Sequence, residues 1–288
     1  MILLENENIV VTIAAKGAEL RSIKNKTNGL EYLWNGDAAF WGKFSPVLFP
    51  IIGALKNDKY IYNEREYKMS RHGFARDHTF EVQQIGDDEV LFTLSATQDT
   101  LRIYPFEFIL RLRYKILGAS LSCAYELSNP GQQDLLFSVG GHPAFAVPLT
   151  GETVYEDYYL DFTKDESLTY FKISDNLISD QTETLQLNRG RLALRHELFY
   201  NDALVFKHLN SDTISLKNTK NLHGLHFRFH NFPYLGIWAA KDADFICLEP
   251  WCGIADSIHH NQQLSDKEGI ISLSPGLDWQ RSWEAAFF

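Results

Sequence analysis

Residues 106–128 read FEFILRLRYKILGASLSCAYELS, and this stretch decides the fold class. Apolar and polar residues alternate from Phe106 to Ile116, and the alternation resumes from Leu121 to Ser128 after a break at Gly118. A period of two is typical of a strand with one buried face and one polar face. Asn129-Pro130-Gly131 then supplies turn chemistry. The stretch therefore predicts an antiparallel hairpin.

The same pattern recurs along the chain and predicts an all-β protein. Turn residues return about every 8–12 residues, as in sandwiches and barrels. Helix signals are few, although Asp37 can cap a short turn through Trp41. Further strand candidates are two short strands between Ile9 and Ile23 around Gly17, and the segments Glu89–Ala96, Leu225–Ala239 and Phe245–Leu248.

No linker or low-complexity stretch divides the sequence. We therefore predict one large antiparallel β-sandwich domain over residues 1–288. A boundary near Leu149 to Glu152 is the alternative.

Composition and charge exclude several classes of protein. The chain has 20 Phe, 13 Tyr and 6 Trp among its 288 residues, too much apolar surface for a disordered chain. Its 27 Lys and Arg against 37 Asp and Glu give a net charge of −10, which opposes binding to nucleic acid or to an anionic membrane.

Cysteine usage and the N-terminus predict a cytoplasmic protein. Three cysteines, Cys123, Cys247 and Cys252, are too few for a disulfide framework and suit a reducing compartment. The N-terminus has no basic segment followed by an apolar stretch, so no secretory signal is expected. No apolar run approaches the ~20 residues that a membrane-spanning helix needs.

Motifs for common chemistries are absent, and histidine clusters do not predict a metal site. The sequence has no G-x-S-x-G, no P-loop and no G-x-G-x-x-G. His223, His226 and His230 lie around a run that alternates with apolar residues, so solvated histidines on a sheet face are favoured over a ligand set. His259-His260 beside Asp256 offers fewer than the four ligands typical of a structural zinc site.

Three segments place one titratable residue in a glycine-rich or apolar setting. Residues 71–76 read RHGFAR, residues 139–145 read VGGHPAF and residues 245–251 read FICLEPW. Each alone has an ordinary interpretation, since a histidine beside glycine can be a loop residue and Glu249 can be a solvated strand-end acid. Together, two imidazoles and one carboxylate suit general acid–base catalysis.

These segments and several others resemble the aldose 1-epimerase (galactose mutarotase-like) superfamily, in particular its LacX-like branch. The resemblance covers essentially the whole chain, and the order and spacing of the matching strings make it specific. The strings are Gly17–Leu20, Ser45–Pro50, Arg71–Arg76, Gly140–Phe145, Asn201–Phe206, Tyr234–Trp238, Leu248–Trp251 and Leu273–Gly276.

The resemblance implies a β-sandwich whose groove interconverts the α and β anomers of an aldose without a cofactor. It implies that Glu249 is the general base, His142 the general acid and His72 a second active-site histidine, with Asp202 holding sugar hydroxyls. A pH profile would then have its acidic limb from Glu249 and its basic limb from His142.

One departure from the family pattern concerns the sugar contacts. Related sequences often carry Arg after the glycine of Phe-Pro-x-x-Gly, whereas Ala54 stands there in this chain, so Lys56 or Arg71 would have to replace that contact. Phe74 and Trp251 could stack on a sugar ring, or they could simply pack in the core.

The expected substrate is a hexose, free or phosphorylated, and the expected assembly is a monomer or homodimer. Two other functions remain open at this stage. One is a carbohydrate-binding protein without turnover, and the other is a scaffold domain in a glycoside-processing assembly.

Overall fold

The computed structural model describes residues 1–288 and is built almost entirely of strands. The single α-helix, α1, spans Gln98–Ile103. Five short 3-10 helices span Lys56–Asp58, Ala75–Asp77, Tyr155–Asp157, His196–Phe199 and Leu264–Asp266. In chain order the strands are β1 (Ile2–Glu5), β2 (Ile9–Ala14), β3 (Glu19–Asn25), β4 (Val47–Leu48), β5 (Lys59–Tyr62), β6 (Arg65–Lys68), β7 (Glu81–Gln84), β8 (Glu89–Ser95), β9 (Ile109–Leu117), β10 (Ser120–Ser128), β11 (Leu135–Phe137), β12 (Val139–Gly141), β13 (Ala144–Ala146), β14 (Tyr158–Phe162), β15 (Ser167–Ser174), β16 (Leu177–Gln186), β17 (Arg191–Ala193), β18 (Leu204–Phe206), β19 (Thr213–Asn218), β20 (Leu225–Arg228), β21 (Tyr234–Trp238), β22 (Phe245–Cys252), β23 (Ile271–Leu273) and β24 (Asp278–Phe287).

Two large antiparallel sheets form the body of the protein. The nine-stranded sheet has the order β17-β14-β19-β20-β24-β10-β9-β8-β7. The eight-stranded sheet has the order β16-β15-β18-β21-β22-β12-β4, and β13 also pairs with β22. Smaller sheets join β1-β2-β3, β11-β23 and β5-β6. The predicted antiparallel all-β architecture is confirmed.

The two large sheets pack face to face. The rings of Phe145 on β13 and Phe227 on β20 lie 5.8 Å apart. Gly141 on β12 lies so close to β10 that a Cβ there would stand 2.5 Å from the Tyr125 hydroxyl. A single core of 70 buried residues runs from Leu4 to Phe287. Strands from both sides of residues 149–152 contribute to the nine-stranded sheet and to this core.

The hairpin predicted from residues 106–128 is present as β9 and β10. The two strands pair in a register that sets Ser128 opposite Ile109 and Ser120 opposite Leu117. On the polar face, Arg113 bridges Glu89 and Glu126 at 2.7 Å each. The first strand begins at Ile109 rather than Phe106, although the side chain of Phe106 is buried.

Two other expectations for strands need correction. The Leu225–Ala239 segment is not one strand, because a turn around Asn231 (φ 63°) divides it into β20 and β21. These two strands belong to different large sheets, so the turn carries the chain from one layer to the other. The strand expected at Phe245–Leu248 is longer and continues as β22 through Glu249 to Cys252.

The turn expected at Asp37 is confirmed, and one short helix was not predicted. The Asp37 side chain accepts a hydrogen bond from the Ala39 N–H, and its carbonyl accepts one from the Trp41 N–H at 2.8 Å. A capping box stabilises the N-terminus of α1. The side chain of Thr97 accepts a hydrogen bond from the Thr100 N–H, and the side chain of Thr100 accepts one from the Thr97 N–H. Six residues are too few to show an apolar stripe. None of the helices has the length and apolar character that crossing a membrane requires.

The alternating pattern of β9 gives a direct test of the sandwich. Leu112 is fully buried and Leu117, on the same strand, is 78% exposed. We expect Leu112→Ala to lower the free energy of unfolding by about 2–5 kcal/mol, because it removes buried methyl groups and leaves a cavity. Leu117→Ala, the matched control, should change it by less than about 0.5 kcal/mol. Urea denaturation followed by fluorescence measures both, and equal effects would contradict the assigned faces of β9.

Candidate active site

One groove on the eight-stranded sheet collects most of the residues selected from the sequence. Its volume is about 550 Å³, within the range of small-molecule sites. The three segments that carry His72, His142 and Glu249 converge there, as predicted. The selected residues that line the groove are Arg71, His72, His142, Asp202, Glu249 and Trp251.

The register of β22 sets Glu249 opposite His142. β12 and β13 both pair with β22, and the pairs Gly140–Trp251 and Ala144–Cys247 belong to one continuous register. His142 lies between the two short strands and therefore faces Glu249. The Nε2 atom of His142 is 3.3 Å from the Oε2 atom of Glu249. The carboxyl group is only 2% exposed, so the alternative of a solvated strand-end acid is wrong.

Glycines on both neighbouring strands leave room around this pair. Gly236 of β21 pairs with Glu249 on the other side of β22, and a Cβ there would stand 2.4 Å from the Trp251 ring. A Cβ at Gly140 would stand 2.7 Å from the Pro250 carbonyl oxygen. Side chains at Gly140 and Gly236 would therefore collide with their surroundings.

His72 is aimed into the groove by a backbone conformation that is unusual for a non-glycine residue. Its φ is 69°, in the left-handed region, which costs about 1–2 kcal/mol and often marks a functional site. Its Nδ1 atom accepts a hydrogen bond from the Gly53 N–H at 3.1 Å. Since a backbone N–H can only donate, neutral His72 carries its proton on Nε2.

Arg71 and His72 present two donors to each other. The Nε atom of Arg71 lies 3.2 Å from the Nε2 atom of His72. With the proton of His72 on Nε2, this contact brings two N–H groups together and is not a hydrogen bond. A ligand oxygen between them would accept from both. Arg71 also donates to the Asn176 side chain at 3.1 Å.

Burial drives both members of the His142–Glu249 pair toward their neutral forms. It raises the pKa of Glu249 well above its ordinary value, while the charge of Arg71 acts in the opposite direction. Burial lowers the pKa of His142 to about 3, and the positive charges of Arg71, Arg76 and Lys43 add to that effect. Burial therefore favours the arrangement in which Glu249 is protonated and His142 is neutral.

Three buried polar atoms in this region have no hydrogen-bond partner. They are Nδ1 of His142, Oε2 of Glu249 and Nε1 of Trp251. Buried polar groups are nearly always paired, and exceptions concentrate at functional sites. Trp41 covers His142 from above, with its ring stacked at 4.9 Å. The site thus offers polar groups to a ligand against a background of flat aromatic rings.

Asp202 and Trp251 take different parts of the groove wall. The Oδ1 atom of Asp202 accepts from the Ala203 N–H at 2.7 Å and lies 3.9 Å from the Nη2 atom of Arg71. Its φ of 135° is another conformation rare for a residue with a side chain. Trp251 is 6% exposed and lies in the groove lining, next to Glu249 on the strand.

Two residues selected from the sequence lie outside the groove. Phe74 packs among core aromatics, with its ring about 6 Å from those of Phe49, Tyr104 and Phe108. Core packing is therefore the correct interpretation of Phe74. Lys56 directs its ammonium group to the carbonyl of His260 at 3.2 Å. Of the two candidates to replace the arginine absent at Ala54, only Arg71 lines the groove.

Asp256 belongs to a buried ion pair instead of a metal site. Its Oδ1 atom accepts from the Lys267 ammonium at 2.8 Å, and both side chains are fully buried. Its Oδ2 atom accepts from the Lys56 N–H at 2.9 Å and lies 3.3 Å from Nδ1 of His260. This network anchors the segment after Gly53, the residue whose N–H orients His72.

The other histidines do not converge. His226 lies on β20 with its Nδ1 atom 2.7 Å from the Ser215 hydroxyl, and His230 is 3.0 Å from Asp212. The one group of three potential ligands is His142, Cys247 and Glu249, whose donor atoms lie within 4.8 Å of one another. Burial raises the pKa of the Cys247 thiol well above its ordinary value, which disfavours the thiolate that a metal needs. That no metal takes part stays a prediction.

Several groove residues were not selected from the sequence. Arg76 belongs to the RHGFAR string, but the string does not indicate whether its side chain points into the groove. The others have no local signal, because their place depends on how distant loops meet. They are Trp41, Lys43, Asn176, Tyr200, Trp238 and Lys241.

Comparisons with known proteins agree with this fold and groove. The model of the aldose 1-epimerase family matches residues 1–269. The plasmid-encoded LacX protein of Lactococcus lactis is 34% identical over 283 residues, 94% of each chain. A galactose mutarotase related enzyme from Lactobacillus acidophilus superposes with a TM-score of 0.95 at 32% identity, over 100% of this chain and 97% of that one. A galactose mutarotase-like protein from Lactobacillus casei gives 0.92 at 32% identity over the whole of both chains.

The fold and the groove define a β-sandwich protein with a candidate active site on one sheet. The chain belongs to the aldose 1-epimerase family. The resemblance drawn from the sequence strings is therefore confirmed.

The burial of Glu249 predicts a stability effect with a definite pH dependence. Because its folded pKa is raised above the unfolded value near 4.5, the wild type loses stability as pH rises from there toward the folded pKa. Glu249→Gln removes this titration and keeps the shape. The variant should be more stable than the wild type at pH 7, by a margin that shrinks on acidification toward pH 4.5.

Thermal unfolding of the two proteins across this pH range measures the margin. Glu64→Gln, at an exposed turn without an ion pair, is the matched control and should show no such trend. A margin that grew on acidification would contradict the raised pKa of Glu249.

Proposed function

We propose that the protein is a mutarotase that interconverts the α and β anomers of a hexose. The observation that carries the proposal is the buried His142–Glu249 pair, 3.3 Å apart at the base of a groove lined by aromatic rings and unpaired polar atoms. Family membership supports the same reaction type.

The reaction needs one acid and one base. In the proposed mechanism Glu249 takes the proton from the anomeric hydroxyl, and His142 gives a proton to the ring oxygen. The bond between C1 and the ring oxygen opens, the chain rotates about C1–C2, and the ring closes on the other face of the carbonyl. The two groups exchange roles on closure. No hydride, phosphoryl group or electron is transferred, so we propose that no cofactor or metal is required.

The shared proton suits this chemistry. A pair that holds one proton has one group able to donate and one able to accept, whichever of the two carries it. In the free protein burial places the proton on Glu249, and the proposed roles require it on His142. Hydroxyl groups of a bound sugar would donate to the carboxylate and favour the second arrangement.

The remaining groove residues have proposed binding roles. His72 would donate from Nε2 to a sugar oxygen, Arg71 and Asp202 would hold hydroxyls, and Trp251 would stack on the ring. The three cysteines are free and buried, which supports a cytoplasmic location. We further propose a hexose, free or phosphorylated, as substrate and a monomer or homodimer as the working form.

Substitutions at the three proposed catalytic positions should separate turnover from binding. We expect Glu249→Gln and His142→Asn each to reduce kcat by about 10²–10⁴-fold, because each removes one partner of the proton transfer. His72→Asn should cost less, since its proposed role is to orient the substrate. Binding of sugar should stay within about tenfold of the wild type if the groups act mainly on the transition state.

NMR exchange spectroscopy on glucose and galactose, with and without a chelator, measures turnover, and calorimetry measures binding. Near-wild-type exchange by Glu249→Gln would show that the assignment of Glu249 as general base is wrong, and Asp202 would become the candidate base. Loss of exchange on chelation, restored by a divalent ion, would overturn the metal-free mechanism.

The pH profile of kcat/KM should be a bell whose limbs belong to the pair. The sequence-based expectation gave the acidic limb to Glu249 and the basic limb to His142. Burial orders the two pKa values the other way, so protonation of His142 should end activity in acid, and deprotonation of Glu249 should end it in base. An NMR titration of the His142 ring tests this assignment, and a ring that titrates near pH 6.5 would contradict it.

A carbohydrate-binding protein without turnover is the second candidate function. Ala54 favours it, because a frequent sugar-contacting arginine of the family is absent there. Tight sugar binding without anomer exchange on any aldose would establish this alternative.

A further inference from the structure

Three cations line the groove in the neighbourhood of His142. Lys43, Arg71 and Arg76, which we call the basic wall, all lie close enough to His142 for their charges to lower its pKa. Arg76 is fixed beside Arg71, because its Nη2 atom donates to the Arg71 carbonyl at 2.7 Å. Lys43 follows the turn that carries Trp41, whose ring covers His142.

Few negative charges offset the basic wall. Lys43 forms no ion pair and no side-chain hydrogen bond. The nearest acids to the two arginines are loose partners, with Asp77 at 3.9 Å from Arg76 and Asp202 at 3.9 Å from Arg71.

Glu19, behind the wall, is already engaged. One of its oxygens accepts from the backbone N–H groups of Phe44 and Ser45, and the other pairs with Arg21 at 2.7 Å.

The charge of the groove is opposite in sign to the net charge of the chain. The chain carries a net charge of −10, yet the groove lining has four cations and two acids. Burial also raises the pKa of one of those acids, Glu249, which acts in the same direction as the excess of cations. The fourth cation is Lys241, which lies over the Tyr200 ring.

The basic wall also presents only donors. The Nε atom of Arg76 is buried without a hydrogen-bond partner. The Nε–H of Arg71 faces the Nε2–H of His72, and the ammonium group of Lys43 is free. A sugar hydroxyl both donates and accepts, and it would find no acceptor on these three side chains. A phosphate or carboxylate only accepts, and it carries the opposite charge.

We infer that the natural substrate is a sugar with an anionic substituent, a phosphate or a carboxylate, which the basic wall holds while the anomeric centre reacts at His142 and Glu249. This inference rests on the proposed function and narrows its substrate class. The anionic substituent serves only for binding, and no bond to it forms or breaks in the reaction.

The test compares each neutral aldose with its anionic relatives. Exchange is measured by NMR for glucose, glucose 6-phosphate and glucuronate, and for the matching galactose series, after subtraction of the spontaneous rate. At least one anionic sugar should exceed its neutral parent in kcat/KM by about ten- to a hundredfold, as expected for hydrogen bonds to a charged group. The phosphate and carboxylate arms identify the substituent.

A charge-removing variant shows whether the basic wall causes the preference. Lys43→Met should reduce the anionic-to-neutral ratio of kcat/KM by about tenfold or more. Lys43 has no ion pair or side-chain hydrogen bond to lose, and circular dichroism confirms that the variant is folded. Lys24→Met, which removes an exposed lysine of β3 that does not line the groove, is the matched control and should leave the ratio unchanged.

The outcomes separate this inference from the proposed function. If neutral aldoses are exchanged as well as anionic ones, or if Lys43→Met leaves the ratio unchanged, the anionic class is overturned and the mutarotase proposal stands. If no anomer exchange is seen with any sugar, the mutarotase proposal fails. Calorimetric binding affinities for the same sugars then test whether the groove prefers anionic sugars. Tighter binding of an anionic sugar supports the inference then, and equal, weaker or no binding overturns it.

Discussion

The structure depends on one costly placement, a carboxyl group on a strand that is buried along its whole length. All eight residues of β22 are buried. Residues Cys247, Glu249 and Trp251 alternate onto the groove side. Such a strand would ordinarily carry only apolar residues, since an unpaired buried carboxylate costs several kcal/mol. The raised pKa of Glu249 reduces that cost, because burial favours the neutral, protonated carboxyl beside His142.

The surroundings of Glu249 follow from this placement. On the two neighbouring segments Glu249 faces His142, the proposed proton partner, and Gly236, which has no side chain. The left-handed backbone of His72 and the unusual φ of Asp202 bring further polar groups to the same space. Each is unfavourable for local stability and is held by the two-sheet core. Strain and unpaired polar atoms concentrated at one place are the usual signature of a site shaped for a ligand.

Local sequence patterns predicted the individual strands better than they predicted which strands pair. The period of two located β2, β3, β8, β9 and β10, because alternation reports which face of a single strand is buried. It could not show that Leu225–Ala239 crosses between sheets, since both halves alternate in the same way and only a turn residue separates them. The order of strands within each sheet depends on contacts between residues far apart in sequence. It came within reach only through the family resemblance.

The candidate site shows the same limit at the level of single residues. Glu249, His142 and His72 could be selected because each stands out against glycine or apolar neighbours. Phe74 was misjudged because an aromatic residue beside a catalytic string has two faces to choose from, and in this fold it turns to the core. Nothing in the local sequence marks Lys43 as a groove residue, since a lysine outside any motif is usually a surface residue.

Net charge illustrates why a local field cannot be inferred from composition. The excess of acidic residues argues against a polyanionic partner at the scale of the whole surface. Within the groove the balance is reversed, and low-dielectric walls make those few cations act strongly over short distances. The same cations help to keep His72 and His142 neutral. An anion bound beside them would offset that effect and make protonation of His142 easier, so a charged substrate would itself help to bring His142 and Glu249 into the arrangement that the proposed ring opening requires.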